Sequence, residues 1–155
     1  MSNTCPFAIL LGGRFRWVVV AILLVAIASG IWYWNLARTR NLALGNVVIE
    51  DIAPDGMSKH IPGSKPVILE FYTRSCPYCV KIEPELKEIK AKYGDKVLVL
   101  KMNAEVFPQE ASRYEIRGVP TLVFLDQAGK SQATAAGYRD FEGIQEILQG
   151  LGFVK

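Results

Sequence analysis

Cys76 and Cys79 lie two residues apart in Ser75-Cys76-Pro77-Tyr78-Cys79, where an apolar run gives way to a helical pattern. Val67–Tyr72 is apolar and aromatic apart from Glu70, the composition of a buried strand. Ile82, Leu86, Ile89 and Tyr93 then recur at helical spacing among Lys and Glu. Cys76 therefore falls at a strand-to-helix junction. The unpaired N–H groups and the dipole of a helix N-terminus favour a thiolate over a thiol, which makes Cys76 the expected nucleophile. One turn inward, Cys79 is placed to resolve a mixed disulfide, because a helical two-residue spacer brings both sulfurs within bonding reach. Pro77 suits a first helical turn, where no N–H partner is lost.

Two other uses of such a pair are weaker. A four-coordinate zinc site needs two further ligands, and the chain offers only Cys5 and the single His60. A purely structural bridge across two residues constrains the unfolded chain little. Neither a metal nor a cofactor is expected.

Charge is unevenly spread along the 155 residues. Residues 1–40 carry four Arg and no acid, while residues 41–155 carry 14 Lys or Arg against 15 Asp or Glu. The body has no basic stripe of the kind nucleic-acid binding requires. Lys81, Glu83, Glu85, Lys87, Glu88, Lys90 and Lys92 read as a mixed, solvated helix face.

Residues 17–34 contain no charge at all, and as a helix they span roughly 27 Å, close to the hydrocarbon thickness of a bilayer. Trp17 at one end and Trp32, Tyr33 and Trp34 at the other stand where aromatic belts form. The competing reading is a cleaved signal peptide, since Ala26-Ile27-Ala28 before Ser29 matches a small-residue cleavage pattern. The anchor is preferred because the apolar run continues past that site. Residues 1–16, including Cys5, form an N-terminal tail; 35–45 form a polar linker, and 46–155 the folded domain. Arg14 and Arg16 balance Arg38 and Arg40 across the span, so only the amino terminus tips the orientation. An uncleaved N-terminal anchor usually leaves the following domain outside, so the expected location is a membrane, taken as a bacterial inner membrane, with the domain on its periplasmic side.

Within the domain, residues 47–52 read as a first strand, and Pro54-Asp55-Gly56 and Pro62-Gly63 as turns around a short helix at most. The helix from Pro77 to Tyr93 carries Pro84, which should kink it. Strand 97–102, a short helix at 108–114, strand 122–125, a turn at 126–129, a returning strand and a closing helix capped by Asp140 follow. These elements sum to an α/β fold, a small mixed β-sheet flanked by helices on both faces and preceded by one transmembrane helix.

Order and residues together resemble the thioredoxin superfamily over roughly residues 45–152. Lys65-Pro66-Val67-Ile68-Leu69-Glu70-Phe71-Tyr72 resembles the family's strand before the active site, with an acid at the place of Glu70. Pro84, five residues after Cys79, matches its helix-kinking proline, and Tyr114-Glu115-Ile116-Arg117-Gly118-Val119-Pro120-Thr121 is similar to its most recognisable loop. Two departures stand out. Ser75 replaces the usual Trp, and Pro77-Tyr78 is the dipeptide of glutaredoxins, although the flanking elements follow thioredoxin. The 41 positions from Cys79 to Pro120 leave no room for a central insertion.

Glu70, an acid in an apolar strand, should have its pKa raised by desolvation and exchange a proton with Cys79; at a strand edge it would instead point to water. The resemblance implies that Lys101 pairs with Glu70; the alternative is an ordinary surface lysine. It also implies that Pro120 is cis and turns the backbone of Val119 toward the cysteines, so that Val119 and Thr121 flank an edge for pairing with a substrate strand. Pro77 and Tyr78 are the remaining substrate-facing candidates. The implied activity is a tethered thiol–disulfide oxidoreductase reducing disulfides of extracytoplasmic proteins, recharged by a membrane electron donor. An extracytoplasmic disulfide oxidase or isomerase, and a redox-inert client-binding module, are the alternatives.

Overall fold

The computed structural model describes residues 13–155 except Asn46, Ser58 and Ile61, with the side chains of residues 13–16 and 36–45 also outside the description. Cys5 and the rest of the tail before Gly13 lie outside the described residues. Two compact units divide near residue 43.

The first unit is built on α1 (Gly13–Gly45), which contains the apolar, exposed stretch Trp17–Asn35. Helix continues beyond Asn35 through the stretch expected as a polar linker. Leu36, Ala37, Leu42, Ala43 and Leu44 are good helix formers, and no Pro or Gly interrupts them before Gly45.

In the second unit the elements run β1 (Glu50–Asp51), α2 (Pro54–Met57), β2 (Val67–Tyr72), α3 (Pro77–Tyr93), β3 (Leu98–Asn103), α4 (Pro108–Arg113), β4 (Thr121–Leu125), β5 (Ser131–Ala136) and α5 (Phe141–Gly150). They build a five-stranded sheet in the order β1-β3-β2-β4-β5, with β1, β3 and β2 parallel and β4 antiparallel to β2 and β5. The alternation of a strand explains the two cores. Ile68, Val99, Leu122 and Phe124 point to the face covered by α3 and α5, meeting Ile82, Leu86, Ile89, Ile144 and Leu148. Val67, Leu69, Phe71, Leu100, Met102 and Val123 point to the other, under Met57 and Ala111.

The same alternation decides where the polar residues of the central strands go. Glu70 follows Ile68 by two positions and Lys101 follows Val99 by two, so both face α3, and they are register partners across β2 and β3. β1 is shorter than expected. Only Glu50 and Asp51 pair with β3, although Ile49 and Ile52 on either side are buried.

Local signals fix the remaining joints. Asp126 accepts from the N–H groups of Ala128 and Lys130, and Gly129 takes the left-handed φ of 83° that closes the β4–β5 turn. Asp140 caps α5 by accepting from Gly143 N–H at 3.0 Å. Replacing Asp140 with Ala should cost about 1 kcal/mol of stability. A lowered urea midpoint for the full chain in detergent checks this, and an unchanged midpoint would show the cap to be dispensable.

Candidate active site

Cys76 occupies the N-cap of α3 with extended backbone, and Pro77 begins the first turn. Its Sγ accepts a hydrogen bond from the backbone N–H of Cys79 at 3.1 Å. One of the helix's orphan donors is thus aimed at sulfur, where a side-chain oxygen would ordinarily sit. Cys76 and Cys79 are joined as a disulfide with their Cα atoms 5.3 Å apart, inside the range such bridges require. Both are buried, while Pro77 and Tyr78 between them are exposed, Tyr78 to 60%.

Beneath this turn lies the acid. Glu70 is 2% exposed, and its Oε1 has no hydrogen-bond partner among the described residues. Burial raises its carboxyl pKa from 4.5 to about 7, only partly opposed by the charge of Lys101. No ion pair within 4.0 Å joins the two among the described residues. The Lys101 ammonium stands instead over the ring of Tyr72, 5.3 Å from its centroid. Lys101 therefore neighbours Glu70 in register and field but does not neutralise it by contact.

A cavity of 120 Å³, open to solvent, brings these groups together: Glu70, Cys79, Lys101, Glu83, Tyr72, Thr73, Arg74 and Val80 line it. It is large enough for water, so a proton can pass between Glu70 and Cys79 through solvent without direct contact. The Tyr72 hydroxyl donates to Asp51 Oδ2, and burial together with that bond pushes the phenol up to about 12.

The 118–121 loop is built separately. The Val119–Pro120 bond is cis, as the resemblance implied. Thr121 is buried and its hydroxyl donates to the Gly118 carbonyl at 2.7 Å, so its side chain serves the loop's own shape. Gly118 and Val119 share a shallow 450 Å³ groove with Thr73, three residues before Cys76, and with Ala111 and Ile116. Val119 thus borders a groove that also takes in Thr73, on the stretch leading to Cys76. Among the described residues, no group of three or more His, Cys, Asp or Glu comes together to hold a metal ion.

Sequence reasoning placed Cys76, Cys79 and Glu70 but passed over Glu83, which it read as part of a solvated face. The available signal was spacing: Glu83 lies four residues after Cys79, hence on the same face of α3 one turn on.

An acid held at about 7 in the folded state and near 4.5 when unfolded makes the native state the tighter proton binder. Stability therefore falls as pH rises from 4.5 through 7, by up to roughly 3 kcal/mol. Glu70→Leu should remove that slope and raise stability at pH 8. Denaturation midpoints of both proteins across pH 5–8 check this, and parallel curves would contradict it.

A sequence model of thioredoxin matches residues 49–150. The thioredoxin of Acidithiobacillus ferridurans is 42% identical over 77 residues, covering 50% of this chain and 70% of that protein. The thiol:disulfide interchange protein TxlA homolog of Synechocystis is 23% identical over 140 residues, covering 89% of this chain and 76% of that one. The chloroplastic thioredoxin-like protein HCF164 of rice is 26% identical over 117 residues, or 73% of this chain, which spans only 45% of the rice protein. With a bridged cysteine pair at the head of α3 and a family match over most of its length, the chain belongs to the thioredoxin family.

Proposed function

We propose that this protein is a membrane-tethered thiol–disulfide oxidoreductase that reduces disulfides of extracytoplasmic proteins. The observation that carries the chemistry is the bridged Cys76–Cys79 pair at the N-terminus of α3, with Cys79 opening onto the same cavity as the buried acid Glu70. In the reduced protein the Cys76 thiolate attacks a substrate disulfide, forming a Cys76–substrate bond and releasing one substrate thiolate. Cys79 then loses its proton to Glu70, attacks Cys76 and releases the second substrate sulfur as a thiolate. The substrate leaves as two thiolates that take up protons from water to become a dithiol, and its two electrons have come from the protein's pair. Recharging reverses the proton movement, Glu70 protonating Cys79 as the bridge opens. In this reading Val119, which shares a groove with Thr73, offers backbone groups to an extended substrate, while the exposed Pro77 and Tyr78 offer apolar contact.

Tethering rests on Trp17–Asn35. These 19 residues make a helix of roughly 28 Å whose apolar surface is uncovered, with aromatic residues at both ends. A reductase beyond the membrane has no soluble supply of electrons there, so a membrane protein that delivers them is the implied partner.

Three measurements test this reading. Cys79→Ala should retain insulin on Cys76 as a stable mixed disulfide, whereas Cys76→Ala should retain none; absence of adducts together with no insulin reduction by the native protein would favour a client-binding module without redox activity. Equilibrated against glutathione, the pair should titrate near the reducing end of the family's span, about −270 mV, and a value near −120 mV would identify an oxidant. In spheroplasts expressing the reduced full chain with Cys5→Ser, a membrane-impermeant maleimide should label the domain thiols. Labelling only after lysis would place the domain inside.

A further inference from the structure

Glu83 takes no part in the sulfur exchange itself, yet it stands at the opening of the cavity that serves it. Its side chain is 39% exposed and bound to Lys87 Nζ at 2.9 Å one turn along α3. The same side chain lines the cavity with Glu70, Lys101 and Cys79. A water-facing carboxylate and a buried one thus line one cavity, with the Lys101 ammonium as a third charge beside them.

We propose that Glu83 is a positioning residue for the proton step: its exposed carboxylate, lining the same cavity as Glu70 and Cys79, repels the charged form of the buried Glu70 and so keeps that acid protonated where the relay needs it. The inference rests on the proposed Glu70–Cys79 relay. The charges facing Glu70 come from four directions. Lys101 on β3 favours its ionisation, Glu83 on α3 and Asp51 on β1 oppose it, and Arg74, after β2, lines the cavity rim. Among these, Lys101 acts on both carboxylates and lowers each. The hydrogen bond from Lys87 holds Glu83 below the usual carboxylate range, so Glu83 is charged wherever Glu70 titrates. Without the Glu83 charge that direct repulsion is gone, the attraction of Lys101 remains, and Glu70 would release its proton at lower pH. The relay would then lose its acid form in the pH range where the bridge has to be reopened.

The test is the titration of the Glu70 carboxyl carbon, followed by nuclear magnetic resonance in the oxidised full chain in detergent and assigned by its loss in Glu70→Gln. Glu83→Gln should lower the midpoint by roughly half a pH unit or more, and Lys101→Met should raise it. Glu83→Asp, which keeps the charge, should stay close to the native midpoint. In parallel, the insulin-reduction rate of Glu83→Gln relative to native protein should change with pH, each ratio cancelling the titration of the chemical reductant. An unchanged Glu70 midpoint in Glu83→Gln overturns the proposal while leaving the relay standing. A native pH–rate profile unaltered by Glu70→Gln overturns the relay, and this proposal with it.

Discussion

At the start of α3 a backbone N–H points at the Cys76 sulfur from 3.1 Å, and the helix dipole points the same way. That arrangement exists only because β2 delivers the chain to Cys76 in extended form and Pro77 turns it at once into helix. The strand in turn is fixed by position: β2 lies between β3 and β4, with Val67, Ile68, Leu69 and Phe71 fully buried on its two faces. A slip of one residue would carry Ile68 out of one core and Leu69 out of the other. The placing of one sulfur therefore depends on the packing of the whole sheet.

Glu70 gives up stability to the same design. An apolar residue would satisfy its site between α3 and the sheet, and the carboxyl there keeps one oxygen unpartnered. The cavity offers the compensation that packing does not. Through it the acid reaches water, Cys79 and the field of Lys101 without an ion pair that would pull its pKa back to the ordinary range. Natural folds tolerate such a local conflict chiefly where a site needs it.

Most of this was legible in the order of residues, and the failures have physical causes. β2 and β4 announced themselves as apolar runs because they are covered on both faces. Strand 97–102 came out one residue early: the Val97 N–H returns to Tyr93, while Asn103, polar and buried, ends β3 and caps the next turn with Oδ1. Residues 47–52 open on three apolar β-branched residues, as a strand can, but hydrophobicity reports burial rather than pairing, and only Glu50 and Asp51 meet β3. The linker kept the helix going because polarity alone does not end one. Glu83 is exposed and paired with Lys87, as a solvated helix face predicts; what its pattern did not show is the cavity it also lines. Only the neighbouring strands, which sequence does not align, show what lies beneath it.

The most direct test is the ionisation of Cys76 in the reduced protein, followed by thiolate absorbance and by the rate of alkylation with iodoacetamide across pH 4–10. A midpoint well below the ordinary thiol value of about 8.5, lost in Cys76→Ser, is the predicted result. A midpoint at or above that value, with slow alkylation at neutral pH, would contradict the claim that the first turn of α3 makes this sulfur a nucleophile.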